Sequence, residues 1–176
     1  IKNSVGKEIE PSEGELVSVV SNHDEFLGIG HYQLGSIAVR VFSFEECEIN
    51  QAFWDAKIAA AYNLRKVLNL TSNAETNVYR LLHAEGDGMP GLIIDFYNGT
   101  AVLQTHSIGM HLIKKEICQS LQKVYGKTLH AIYDKSEETM PKQSAVKAEN
   151  GVLWGETKTN EVKEYGVDIL LAPGLN

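Results

Sequence analysis

The strongest constraint on the fold is Asn98-Gly99, set between the apolar runs Leu92-Ile93-Ile94 and Ala101-Val102-Leu103-Gln104. A two-residue Asn-Gly connection favours positive φ at both corners, and its twist matches two antiparallel strands. The chain is therefore committed to a hairpin near its middle. Just upstream stand two more corners, Asp87-Gly88 and Pro90-Gly91, in the stretch HAEGDGMPGLIID. Pro-Gly suits the central positions of a type II turn, because proline presets φ and glycine accepts a positive one.

Helices flank this hairpin. From Asn50 to about Leu68 the alanines at 52, 56, 59, 60 and 61 favour helix, and Trp54, Ile58, Ala61 and Leu68 recur at helical spacing. Asn50 is the expected N-cap, and Arg65 and Lys66 near the end suit the helix dipole. Ser107 is expected to cap a second helix, with Met110, Ile113, Ile117, Leu121 and Val124 as its seam and Gly126 as its stop. Around these lie Val78 to Leu82, Leu129 to Tyr133, and Val152 to Gly155, each expected as a strand. A closing hairpin over 161–171 turns near Tyr165-Gly166. Residues 134–148 are polar and read as a mobile loop.

Residues 1–48 differ in character. Leu16–Val20, Glu25–Gly30 and Ile37–Phe42 read as short strands with corners between them, as in a small barrel. Gly28-Ile29-Gly30 is no dinucleotide loop, since no helix pattern follows it. The expected fold class is thus α+β: a small β-barrel over 1–48, then a mixed strand and helix domain over 49–176.

Charge bears on partners. The net charge of −7 is concentrated early, where residues 1–48 hold three basic residues against nine acidic. Phosphate contacts supply much of nucleic-acid affinity, so a protein that holds RNA by itself needs clustered basic residues. No such cluster stands in this sequence, and any RNA role is auxiliary, shape-based or shared with a more basic neighbour. No run approaches eighteen apolar residues, so no membrane partner is expected. Cys47 and Cys118 read as buried small apolar residues in a reducing, cytoplasmic setting.

Catalytic signals are absent. Glu85, Asp87 and Asp95 could be read as a carboxylate set, but turn chemistry accounts for most of that pattern, leaving a contact surface as the other use. The six histidines and two cysteines show no metal-ligand spacing. No phosphate loop, nucleophile elbow or cofactor fingerprint occurs.

Taken together, three stretches resemble a known family. Gly14-Glu15-Leu16-Val17, Phe26-Leu27-Gly28-Ile29-Gly30-His31-Tyr32 and Ser36-Ile37-Ala38-Val39-Arg40-Val41 resemble the PUA domain that opens the RlmI-like ribosomal RNA methyltransferases. Tyr79-Arg80-Leu81-Leu82, with Glu85, Asp87-Gly88, Pro90-Gly91-Leu92-Ile93-Ile94-Asp95 and Tyr97, is similar to the signature of their central domain. Glu149-Asn150-Gly151 and Ile169-Leu170-Leu171 are similar to the stretch before their catalytic domain.

The resemblance implies a PUA-like barrel and a central domain. A Rossmann-like domain would then bind S-adenosylmethionine and methylate cytosine at carbon 5 of large-subunit rRNA. The chain is expected to stop where that third domain begins and to have lost residues at its start, which is Ile rather than Met. Neither cysteine matches the family's nucleophile, so no catalytic residue, cofactor or metal is expected in these 176 residues. The implied partners are ribosomal RNA and the downstream methyltransferase domain; a homodimer is left open. His31, Tyr32, Arg40, Arg65 and Arg80 are the RNA-contact candidates. Asp87, Gly88, Pro90, Gly91 and Asp95 are the structural motif. The other reading is a free-standing RNA- or protein-binding module.

Overall fold

A computed structural model of the chain describes residues 11–143, 145–156 and 161–170. The first ten residues of the expected barrel, Leu171 of the closing hairpin and the tail 172–176 lie outside the described residues.

Three antiparallel strands open the fold: β1 (Leu16–Val20), β2 (Phe26–Tyr32) and β3 (Val39–Ser43), in the order β1-β2-β3. The helix α1 (Gln51–Val67) follows, and Asn50 caps it by accepting a hydrogen bond from the Phe53 N–H at 3.2 Å. Next comes a five-stranded sheet of β4 (Val78–His83), β5 (Leu92–Tyr97), β6 (Thr100–Thr105), β7 (Ala131–Asp134) and β8 (Gly151–Gly155), neighbours in that order. The expected hairpin is β5–β6, with Asn98 and Gly99 at φ +41° and +96° in its turn. Strand β7 runs parallel to β6, so a crossover is required, and helices α2 (Ile108–Leu112) and α3 (Lys114–Tyr125) supply it. A separate hairpin, β9 (Glu161–Glu164) and β10 (Val167–Leu170), turns at Tyr165-Gly166 as expected. It is tied to the segment before β4 by the Asn77 N–H donating to the Lys163 carbonyl at 2.9 Å. The fold class is α+β.

Two expectations about backbone organisation need correction. The helix from Ser107 to Gly126 is not continuous. It breaks at Ile113, whose φ and ψ of −94° and 18° end α2 before α3 begins. The cause is packing in two directions: α2 lies on β2, with Gly109 under His31, whereas α3 lies along α1. A straight helix could not serve both. The stretch from 134 to 148 is not a free loop in its first half either. Asp134, Ser136 and Met140 are buried, the Thr105 N–H donates to Ser136 Oγ at 2.9 Å, and Thr139 Oγ1 donates to the Thr105 carbonyl at 2.8 Å. Polar side chains here satisfy backbone groups at the end of β6, and composition alone reads such residues as solvent-facing.

The core is continuous across residues 48 and 49. Ile29 and Phe42 from the first sheet join Trp54 and Ile58 of α1, Leu82, Ile94 and Leu103 of the second sheet, and Ile117 and Leu121 of α3. Burial of this apolar surface is the main driving force for the fold. Helices α1 and α3 thus cover one face of the five-stranded sheet, and on the opposite face the middle of β6 is also buried, with Val102 2% exposed. Cys118 is buried as expected, and burial pushes its thiol up to about 11. Cys47 is exposed, against expectation, in a loop fastened by Ser43.

Candidate nucleic-acid interface

Cross-strand register decides which side chains share the face away from the helices. Arg80 pairs with Asp95, Asp95 with Val102, Val102 with Tyr133, and Tyr133 with Val152, giving one row across all five strands. Paired residues point to the same face of a sheet, so Arg80 and Tyr133 are displayed together. A second row holds His83, Ile93 and Gln104. Both rows lie opposite the helices.

Arg80 is exposed and makes a two-point bridge to Asp95, Nε to Oδ1 at 2.8 Å and Nη2 to Oδ2 at 3.1 Å. That bond raises the Arg80 guanidinium further above its ordinary range. Asp95 on β5, read from sequence as part of a structural motif, is thus the orienting partner of a cation on β4. The fork holds the guanidinium plane at a fixed angle, which suits it to present its remaining donors to a phosphate.

Arg40 approaches the same region from β3. It stands opposite His31 in the ladder and reaches Glu85 with Nη1 at 3.5 Å, while its buried Nε has no hydrogen-bond partner. His106, just past β6, is near enough to both arginines to feel their charges. Burial lowers its pKa first, Arg40 and Arg80 lower it further, and Glu85 opposes them. Its buried Nε2 also lacks a partner. Arg40, Arg80 and His106 thus lie within electrostatic range of one another, although the first and last are 66 positions apart in sequence. Nothing in the spacing of His106 marks it as a member. Only the return of β6 beside Gly91, whose carbonyl accepts from the His106 N–H at 2.8 Å, brings it there.

The other RNA-contact candidates differ. Tyr32, at the end of β2, is half-buried. His31 is 5% exposed and packs between Phe42, Trp54 and the backbone of Gly109. Arg65 is 8% exposed and is spent inside the fold. Its Nη1 and Nη2 reach the two Asp87 oxygens at 2.5 and 2.8 Å, and its Nε donates to the Arg80 carbonyl at 2.9 Å. Neither side chain is presented to solvent, so of the five only Tyr32, Arg40 and Arg80 retain reach. The helix-dipole reading of Arg65 misses this bridge because its partner lies 22 residues away, in a stretch that reads as a turn.

The stretch Asp87, Gly88, Pro90, Gly91 forms turns and packs within the fold. Residues Ala84–Asp87 form a single 3-10 turn that Gly88 ends at φ +66°, and Gly91 sits at φ +83°. A Cβ on Gly91 would stand 2.7 Å from Ser107 Oγ. Burial pushes the Asp87 carboxyl up, but the Arg65 bridge and the His83 N–H outweigh it and hold the group below its ordinary value. Among the described residues no group of three or more histidine, cysteine or acidic side chains could hold a metal ion. No described helix is long and apolar enough to cross a membrane.

Comparison with known proteins bears on this geometry. Residues 1–44 match the PUA-like domain family. The chain is 35% identical over 164 residues to ribosomal RNA large subunit methyltransferase I of Photobacterium profundum, covering 91% of this chain and 40% of that protein. It is 30% identical over 162 residues to the protein of the same name from Shigella flexneri, covering 90% and 40%. A solved structure from Streptococcus mutans, described as a SAM-dependent methyltransferase, superimposes with a TM-score of 0.75 at 20% identity, over 99% of this chain and 45% of that one. The chain spans about two fifths of the length of the curated relatives it matches. It carries a PUA-like domain and is related, over nine-tenths of its length, to those rRNA methyltransferases.

Proposed function

We propose that this chain is the RNA-recognition part of an S-adenosylmethionine-dependent methyltransferase that modifies cytosine in large-subunit ribosomal RNA. The observation that carries the reading is the likeness to rRNA methyltransferases over nine-tenths of the chain but only two fifths of theirs. The reaction belongs to the remaining three fifths, where the methyl donor is bound. These 176 residues hold and orient the substrate, in the cytoplasm, for that catalytic domain.

The interface is the face bearing Arg40, Arg80 and His106, with Tyr32 at its margin. Its chemistry fits an auxiliary role. Two guanidiniums, each already facing a carboxylate, supply a few phosphate contacts and not a basic tract. Shape recognition of folded RNA needs no more, because backbone and ribose contacts carry it. The acidic balance of the chain keeps the isolated affinity low and salt-sensitive.

Fluorescence anisotropy with a labelled rRNA-derived hairpin tests this. Arg40→Ala and Arg80→Ala should each weaken binding several-fold and each reduce the salt slope by about 1, whereas Lys127→Ala, far from this face, should do neither. Equal binding by wild type and the Arg40→Ala/Arg80→Ala double variant would remove this face from the reading. Tight binding by the isolated chain at moderate salt would overturn the auxiliary role.

A further inference from the structure

Beyond the end of β3 lies a cleft of about 750 Å³ that the RNA reading does not use. Phe42, Phe44, Phe53 and Pro90 give it an apolar wall, and Glu45, Glu85 and Lys57 supply its charges. The volume lies in the usual range of ligand clefts. Two features at its mouth require explanation.

The first is Phe44. It is 79% exposed, although the residues on either side of it in sequence are fixed in place. Ser43 is buried, its Oγ accepts from the Glu45 N–H at 3.2 Å and donates to the Glu45 carbonyl at 2.9 Å, and Cys47 Sγ lies 3.5 Å away. A hydroxyl-fastened turn thus holds a phenyl ring out in water, where it has no packing role. Leaving so large an apolar side chain exposed forgoes the stabilisation its burial would give.

The second is charge. Glu45, next to Phe44 in sequence, and Glu85 both line the cleft, and Glu46 and Glu48 are exposed in the same stretch of chain. Among the described lining residues Lys57 is the one cation, and it is occupied: its Nζ donates to the Phe42 carbonyl at 2.8 Å and sits 5.4 Å from the Phe53 ring centroid, while Arg40, outside the lining, bridges Glu85 at 3.5 Å. One aromatic of the cleft therefore already carries a cation over its face. Among the described residues, none stands over Phe44.

We propose that the cleft binds an arginine side chain from a basic segment of a partner protein, with the guanidinium over the Phe44 ring and beside the Glu45 and Glu85 carboxylates. The electrostatics select the occupant. An aromatic face and carboxylates attract a planar cation, which stacks and forks at once. A nucleic-acid phosphate at the same place would meet the carboxylates of Glu45 and Glu85. The charge gradient of the molecule agrees: residues 1–48 are strongly acidic, and Arg40 and Arg80, each bridged to a carboxylate, belong to the other interface. The two surfaces meet at the Arg40–Glu85 pair, 3.5 Å apart, but this assignment rests on Phe44 and Glu45, which the RNA reading does not use.

The test uses the full chain with labelled hexa-arginine and hexa-lysine peptides and a labelled RNA oligonucleotide, followed by anisotropy. Hexa-arginine should bind more tightly than hexa-lysine. Phe44→Ala removes no charge, and it should weaken hexa-arginine binding about fivefold or more at unchanged melting temperature. Glu45→Gln should weaken it too, whereas Glu137→Gln/Glu138→Gln, which removes as much charge or more elsewhere, should matter little. Equal binding by wild type and Phe44→Ala would overturn the proposal, since only bulk charge would then be at work. Loss of RNA affinity, or loss of self-association in sedimentation, on Phe44→Ala would overturn it in favour of RNA or a second copy of the chain.

Discussion

Gly109 lies so close beneath His31 that a Cβ on the glycine would stand 2.1 Å from the imidazole Cγ and 2.3 Å from the His31 Cβ. This contact joins β2 of the first sheet to α2 of the crossover, and with Phe42 and Trp54 it makes the two halves of the chain one packed body. Real Cβ atoms do not approach other atoms so closely, so the backbone must move if either side grows.

Gly109→Ala is therefore expected to destabilise the fold by about 2–4 kcal/mol, at the upper end for overpacking, despite alanine's better helix propensity. Chemical denaturation of the variant measures it. Because the His31 Cβ is itself in the way, His31→Ala should rescue little of the loss. A Gly109→Ala variant as stable as wild type would show that α2 and β2 are not in such contact.

Acid should loosen the same junction. Burial lowers the His31 pKa to about 4. An unfolded chain takes up the proton near pH 6.5, whereas the folded chain resists it, so stability rises with pH between about 4 and 6.5 and is level above that window. The loss on going from pH 7 to 4 is on the order of 3 kcal/mol from this residue alone. His106 and His111 are shifted in the same direction, again first by burial. Urea midpoints at pH 7 and pH 5 should differ in wild type, and the difference should shrink in His31→Phe.

At the end of β7, the fully buried Asp134 carboxylate binds Lys114 Nζ at 2.5 Å and accepts from Ser136 Oγ. The pair fastens the start of α3 to the end of β7. Lys114→Met leaves a buried anion with one partner fewer and should cost about 3 kcal/mol or more. Lys114→Met/Asp134→Leu should be less damaging than the sum of its parts, because both charges leave together. Additive losses in thermal melts would contradict that coupling.

What the sequence made legible follows from range. The Asn98-Gly99 hairpin, the Asn50 cap and the turns at Gly88 and Gly91 are set by neighbours within four residues, and each stands where local chemistry puts it. The α1 seam at Trp54, Ile58 and Ala61 is likewise buried. The break at Ile113 was not legible, because an unbroken apolar seam says nothing about two partners lying in different directions. The anchoring of Asp134 and Ser136 was hidden for a similar reason: polar residues betray no buried network until their partner strand is known. In the candidate interface, Arg40 and Arg80 could be named from residue type, but His106 could not. His31 and Arg65 were named as RNA contacts by type as well, and burial removed them.

The pair Arg65–Asp87 offers the sharpest check on how that interface is built. Arg65 leaves α1 to bridge Asp87, whose Oδ2 also accepts from the His83 N–H, and to donate to the carbonyl of Arg80 itself. Both ends are nearly closed to solvent, with side-chain exposures of 10% and 6%. Removing one partner strands the other charge, so Arg65→Met and Asp87→Asn should each cost about 3–5 kcal/mol. Arg65→Lys should fail to rescue, because an ammonium cannot fork to two oxygens and reach the carbonyl at once. The acid response is of opposite origin to that of His31 but of the same sign. The Asp87 carboxyl is held below its ordinary value, so its contribution is full above the unfolded carboxylate pKa and fades as pH falls through the folded one. Because this bridge holds the β4 backbone beneath Arg80, variants that still fold should also weaken RNA binding without removing any exposed cation. Unfolding curves and anisotropy on the same Asp87→Asn sample separate the two effects. Loss of stability with unchanged RNA affinity would mean that Arg80 is positioned by Asp95 alone.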